Sequence, residues 1–324
     1  MRRFAAAILQ AALVALLSPA HADSEINSGA IGASDTADTA PDDATAPVVV
    51  SAPEPRYVAP TLRDRIGRIW APVLINGRGP FRLVLDTGAT GIALIPSVIQ
   101  ALGLPFENSM RARLYGVTGT AVVPVVRIDS VEVGDFIAEN LKVPIVADAF
   151  GGADGVLGGK GLRDKRIFVD FRHDSIRIER SRNRFDGVNF VRIPFRLESG
   201  HLPMFELRIG SVPTQAILDT GSQISIGNNR LLEALLRLRH DDQDATVIGV
   251  TLDKASVRSV SIPPIILSGL AISHLRITFG DVYIFNQWKL NDQPAMLIGM
   301  DVIGVLDQVV IDFKRRELLV RTRT

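Results

Sequence analysis

Two short sequences in this 324-residue chain could do chemistry together: Asp86-Thr87-Gly88 and Asp219-Thr220-Gly221. Each follows an apolar run, Phe81 to Leu85 in one case and Ala216-Ile217-Leu218 in the other. Each ends on a glycine that lets the backbone turn sharply. An Asp at the end of an apolar strand is desolvated. Taken singly, Asp-Thr-Gly is a common turn sequence. Taken as a facing pair, two carboxylates about 3 Å apart cannot easily both ionise and so share a proton. The ionised partner can then accept a proton from a bound water while the protonated partner polarises a carbonyl. That is general acid–base hydrolysis of an amide, with no covalent intermediate and no metal or other cofactor. Thr87 and Thr220 can hydrogen-bond across the axis between the two loops and hold them rigid.

The pairing is predicted by a repeat. The two Asp-Thr-Gly sequences are 133 residues apart, as are Gly77 and Gly210, and Gly116-Val117-Thr118 and Gly249-Val250-Thr251. Val156-Leu157-Gly158 matches Leu297-Ile298-Gly299 at an offset of 141, and Val169-Asp170-Phe171 matches Ile311-Asp312-Phe313 at 142. An insertion of eight or nine residues in the second copy accounts for the change. Five matches in one order imply two copies of one folding unit related by a pseudo-twofold axis.

The elements that must position these residues are short Val/Ile/Leu runs bounded by Gly, Pro and Asn: Val73-Leu74-Ile75, Val122 to Ile128, Val131-Glu132-Val133, Ile167-Phe168-Val169 and Val309-Val310-Ile311. Such spacing predicts an all-β fold. Helical periodicity is confined to Arg230–Arg239, with Leu231, Leu232, Leu235 and Leu238 on one face, and to a shorter stretch at Pro96–Leu102.

The organisation along the chain has four parts. Residues 1–22 carry Arg2 and Arg3, an apolar stretch from Phe4 to Leu17, and Ala20-His21-Ala22, the layout of a secretory signal peptide cleaved after Ala22. An uncleaved anchor is the alternative, but the run is short of the roughly 20 residues that span a bilayer. Residues 23–55 hold seven acids and no Lys or Arg amid Ala, Ser, Thr and Pro, and are expected to be a disordered spacer. Residues 56–185 and 186–324 are the two lobes. From Arg56 onward 34 Lys and Arg face 28 Asp and Glu, scattered without an aromatic-basic stripe, so nucleic acid is not an expected partner. The absence of cysteine excludes disulfides, a thiol nucleophile and cysteine metal sites. These features predict an exported, periplasmic or secreted, bacterial protein.

Leu85-Asp86-Thr87-Gly88-Ala89-Thr90 with Leu94-Ile95-Pro96, and Leu218-Asp219-Thr220-Gly221-Ser222, resemble the active-site loops of the pepsin and retropepsin clan of aspartic proteases, and in particular its bacterial retropepsin-like members. The resemblance covers roughly residues 65 to 322. It implies a bilobal pseudo-twofold fold with a cleft between the lobes, Asp86 and Asp219 as the catalytic pair, and an extended polypeptide as substrate. It also implies that Val156-Leu157-Gly158 and Leu297-Ile298-Gly299 pack behind the active-site loops. In such a protein one chain supplies both lobes, a monomer with an internal pseudo-dimer; pairing between chains is the alternative. A peptide-binding module without proteolysis is the functional alternative. The family's flap hairpin falls at Leu114 to Gly119, where Tyr115 and Gly116 would close over substrate, with Ile248 and Gly249 at the matching place in the second copy. An ordinary hairpin is an equal reading there.

One asymmetry stands out. Ser222 follows Gly221, but Ala89 follows Gly88. A Ser222 hydroxyl donating to Asp219 would favour its ionised form, making Asp86 the protonated partner unless the Thr90 hydroxyl reaches Asp86. Other signals carry little. Ala153 to Lys160 lacks a phosphate loop's first Gly and its Ser or Thr. His173, His201, His240 and His274 show no ligand spacing and read as surface or turn residues. Trp70 and Trp288 read as core or rim.

Overall fold

A computed structural model of the chain describes residues 8–10, 68–107, 109–134, 136–148, 150–235, 242–248 and 254–322. The segments 1–22 and 23–55 thus lie outside the described residues, apart from Ile8–Gln10, a short strand beside Thr246 to Ile248. The fold is mostly β, with two curled half-barrel sheets.

The first half-barrel is a seven-stranded sheet. Its strand Arg78–Asp86 runs antiparallel to Trp70–Ile75 and parallel to Gly155–Gly158, with Leu85 opposite Leu157 and Asp86 opposite Gly158. Val212–Leu218 repeats this arrangement in the second half-barrel. It runs antiparallel to Leu202–Ile209 and parallel to Ala295–Ile298, with Leu218 opposite Ile298. Both Asp-Thr-Gly strands are therefore central, paired on both sides and buried at their ends. That explains their unbroken apolar runs where a half-exposed strand would alternate. Trp70–Ile75 does alternate, with Ala71, Val73 and Ile75 inward.

A third sheet of five strands ties the copies together, with Lys165–Asp170 pairing Gln308–Asp312 at its centre. Residue pairs related by the repeat meet there. Gln308 Nε2 donates to Asp170 at 2.6 Å, and Arg166 Nε donates to Asp312 at 3.1 Å. These two inter-copy bonds are pseudo-symmetric twins. The two lobes pair within one chain.

Some sequence boundaries move. Val122 to Ile128 and Val131 to Val133 are one strand, Thr120–Val133, which is long enough to pair with three neighbours in turn. Pro96–Leu102 is helical as expected. The second helix is Asn229–Leu235, beginning one residue before the predicted start; 236–241, including His240, lie outside the described residues. Asn228 sets that start: its Oδ1 accepts from Leu231 N–H at 2.9 Å, a side-chain cap. The extra length of the second copy falls largely between Phe279 and Ala295, where fifteen residues replace the ten between Pro144 and Gly155. This segment contains the helix Tyr283–Gln287.

Candidate active site

The two Asp-Thr-Gly loops meet tip to tip. Thr87 N–H donates to Thr220 Oγ1 at 3.1 Å, and Thr220 N–H donates to Thr87 Oγ1 at 3.2 Å. Each hydroxyl in turn donates to the carbonyl behind the other loop: Thr87 to Leu218 at 2.6 Å and Thr220 to Leu85 at 2.7 Å. These four buried bonds, each with a twin, fix the loops against one another.

The glycines show how close the carboxyls come. A Cβ on Gly221 would lie 2.3 Å from Asp86 Cγ, and a Cβ on Gly88 would lie 2.9 Å from Asp219 Cγ. Each carboxyl therefore lies over the other loop's glycine, in the space a side chain would fill. Gly158 and Gly299 serve the same function one layer back, against Gly91 and Ile224.

Within each loop the carboxylate accepts backbone N–H groups. Asp86 Oδ1 accepts from Gly88 at 2.8 Å and Ala89 at 2.9 Å, and Asp219 Oδ1 accepts from Gly221 at 3.1 Å. Asp219 Oδ2 is buried and has no hydrogen-bond partner among the described residues. Both residues are essentially inaccessible, at 1% and 0% exposure. Burial, and then the charge on Asp219, raises the Asp86 carboxyl well above the ordinary range. Burial also pushes Asp219 up, to about 6, with the hydrogen bond from Asp86, the loop N–H groups and the charge of Arg68 pulling the other way. The two carboxyls share a hydrogen bond and so hold one proton between them.

The Ser222 hydroxyl does not take the part the sequence suggested. It donates to the Ile224 carbonyl at 2.8 Å, closing its own loop instead of bonding Asp219. Thr90 Oγ1 does not turn to Asp86 either, but lies 3.3 Å from His201 Nε2.

Tyr115 and Gly116 stand in a hairpin made by Met110–Tyr115 and Thr120–Val133, closed by Gly116 N–H donating to Gly119 O at 2.8 Å. The hairpin reaches the other lobe. The Tyr115 ring stacks on Tyr283 with centroids 6.5 Å apart, and Ile284 N–H donates to Val117 O at 3.2 Å. Val117 itself is fully buried among second-lobe side chains, including Val282, Ile284, Phe285 and Trp288. In the second copy, Ile248 ends a strand opposite Lys254, and Gly249 lies outside the described residues.

Three residues of the site were missed in the sequence. Arg68 and His201 are each only 2% exposed, so His201 is an interior residue instead of the surface histidine expected. Val117, between Gly116 and Gly119, is the third: the sequence shows it as part of the repeat but not as a contact to the other lobe. A signal for the first two exists: they are 133 residues apart, the offset of the aspartates.

The model for the family described as aspartyl protease matches residues 71–160 and 205–302, one segment in each lobe. This chain belongs to the aspartyl protease family. Direct comparison with curated proteins gives no match.

Proposed function

We propose that the protein is an aspartic endopeptidase that cleaves exported or periplasmic polypeptides with a water activated by Asp86 and Asp219. The observation that carries this reading is the cross-packing of the two carboxyls over each other's glycine, in loops locked by reciprocal threonine bonds. Family membership supports protease activity in general. In the proposed reaction, ionised Asp219 takes a proton from water as it attacks the scissile carbonyl. Asp86 donates its proton towards the carbonyl oxygen, giving a neutral gem-diol. Collapse of that intermediate releases acid and amine, with protons returned through the same pair. Burial serves this chemistry by keeping one proton on the pair at mildly acidic pH. The leader at 1–22 supports export.

The test is digestion of an unstructured peptide pool by the purified protein, with cleavage sites mapped by mass spectrometry. Asp86→Asn and Asp219→Asn should each abolish cleavage with the fold retained, and a statine-type peptide mimic should inhibit the wild type. Full activity in either variant overturns the assignment. A second readout follows from linkage. A buried carboxyl with a raised pKa destabilises the fold at neutral pH, and this cost disappears as pH falls through the folded value towards the unfolded one near 4. Asp219→Asn should therefore raise Tm at pH 7, and the gain should fade between about pH 6 and pH 4.

A further inference from the structure

The positive surplus is scattered in the sequence, but the fold gathers it. Residues 165–192 and 308–322 hold 12 Lys and Arg against 6 Asp and Glu. Of the 34 and 28 from Arg56 onward, that leaves 22 of each elsewhere, so these two segments carry the whole surplus. They are also the segments that build the five-stranded sheet between the lobes.

That sheet has two unlike faces. Ile178, Ile167, Ile311, Leu318 and Ile193 form a row across it and belong to the core shared with the half-barrels. The neighbouring row, Arg177, Phe168, Val310, Leu319 and Arg192, points the other way and ends in a cation at both edges. The chain from Arg182 to Phe190 straps this outer face. The Phe185 ring lies on Phe168 with centroids 6.1 Å apart, and Phe190 meets Phe185 edge-on at 5.2 Å. Arginines stand against the rings: Arg177 is 5.2 Å from the Phe168 centroid, Arg166 5.6 Å from Phe185 and Arg321 5.8 Å from Phe190. Arg192 Nη2 donates to Phe185 O at 3.2 Å, and Arg315 Nη2 to Arg182 O at 3.3 Å, fastening the strap.

The strap turns at Gly187. A Cβ there would lie 2.4 Å from Phe185 and 2.5 Å from Phe190, so the two rings clasp the glycine. The next residue, Val188, is left 80% exposed, more than any other large apolar side chain among the described residues. The acids nearby are shared between cations: Glu317 by Arg184 and Arg192, Glu179 by Arg166 and Arg177. Asp170 and Asp312 are buried in the sheet. Arg182, Arg184 and the turn Lys314-Arg315-Arg316 are exposed.

We propose that this face docks the protein on an anionic lipid bilayer, with its cations against the headgroups and Val188 entering the acyl boundary beneath them. The cations spread over a sheet face and its strap, which matches a plane of charge better than a single anion. Val188 discriminates among polyanions. An acidic polypeptide or a nucleic acid would answer the arginines but has no continuous apolar layer under its charge; a bilayer has both. The other face of the sheet belongs to the core, so docking leaves both half-barrels on the side away from the membrane. None of this depends on the endopeptidase reading.

The chain has no cysteine, so a single introduced one reports on its own position. The full chain with Val188→Cys, carrying an environment-sensitive dye, is mixed with phosphatidylglycerol vesicles and with neutral phosphatidylcholine vesicles. Dye emission should shift to the blue on the first and stay unchanged on the second. The same dye at Val122→Cys, an exposed position on the hairpin that carries Tyr115, should not shift on either. Each cation near an anionic surface contributes a factor of about five to binding. Lys314→Gln, Arg315→Gln and Arg316→Gln together should therefore weaken the binding read by the dye at 188 about 100-fold, and added salt should weaken it in the unaltered face. An unshifted dye at 188, an equal shift at 122, or undiminished binding after the triple change overturns the proposal. So does soluble polyglutamate or single-stranded DNA that binds as tightly as the vesicles, which would make the face a site for an acidic macromolecule. If the triple variant does not fold, the comparison of the two dye positions and a roughly fivefold loss in Arg182→Gln decide the matter.

Discussion

The two lobes agree where they hold the aspartates and differ where they reach across to each other. Strand, loop, threonine and backing glycine recur in both, down to hydrogen bonds of matching partners. The insertion in the second copy has no counterpart in the first. Its helix Tyr283–Gln287 and the following Trp288 make the apolar socket that receives Val117, the tip of the first lobe's hairpin. Duplicated parts therefore hold the chemistry symmetric, while an unduplicated part closes it from one side. The aspartates are inaccessible in this arrangement, with the hairpin tip seated in the other lobe.

The largest effect that could break the comparison lies at its most symmetric point. Neither Gly88 nor Gly221 has a positive φ, so alanine meets no backbone strain at either position. What its Cβ meets is the opposing carboxyl, at 2.9 Å for position 88 and 2.3 Å for position 221. Both Gly→Ala variants should lose activity, since displacing a reacting group by about 1 Å can cost about 100-fold. Gly221→Ala should lose more than Gly88→Ala, because its methyl displaces Asp86 further. Peptide cleavage rates of the two variants measure this. Equal losses would mean that the loops absorb the methyl instead of the carboxyl.

The next effect concerns the unduplicated part. Val117→Ala removes two buried carbons, weakening the closed hairpin by about 1–2 kcal/mol. Since about 1.4 kcal/mol is a factor of ten, association of a statine-type inhibitor should quicken by up to about tenfold. Tyr283→Ala, which removes the stacked ring beneath Tyr115, should quicken it less. Stopped-flow association rates are the measurement. If Val117→Ala leaves the rate unchanged, the hairpin tip does not limit access to the aspartates.

What the sequence made legible follows the same division. Repeated features were readable because each copy vouched for the other: the Asp-Thr-Gly loops, the glycines behind them, and Val169-Asp170-Phe171 with its twin. The threonine bonds across the axis were foreseeable because two equal loops facing each other have few other partners for a buried hydroxyl. Features that depend on one lobe meeting the other stayed hidden. Val117 is one apolar residue in a turn, and nothing local announces that its socket lies some 165 residues further on. Arg68 and His201 share the repeat offset but not a residue type, so a search for identical residues passes over them. The end of Val122 to Ile128 was misplaced because Asp129 and Ser130 look like a turn, whereas Asn76 Oδ1 accepts both of their N–H groups and keeps the strand running.

The smallest effect is at Ser222, where local reading and structure disagree. A serine directly after Asp-Thr-Gly has two acceptors within reach, its neighbour's carboxylate and a carbonyl of its own loop. A bond to Asp219 would stabilise the singly ionised pair against the fully protonated one, and Ser222→Ala would then move the acid limb to higher pH. In the structure the hydroxyl instead donates to Ile224 O at 2.8 Å, while Asp219 takes its hydrogen bonds from backbone N–H groups and from Asp86. Ser222→Ala leaves those donors in place. The acid limb should therefore stay where it is in the wild type. The cost should appear in stability, about 1 kcal/mol for one lost neutral hydrogen bond and more if the Ile224 carbonyl finds no other donor. Ala89→Ser probes the matching position, where Gly91 stands in place of Ile224. A serine at 89 that followed the second lobe's pattern would close onto Gly91 O and leave the alkaline limb unmoved. pH profiles of kcat/KM for both variants, with thermal melts beside them, separate the cases. A shift of the acid limb in Ser222→Ala would show that the hydroxyl turns to Asp219 when substrate is bound, and that the loop bond to Ile224 belongs only to the closed form.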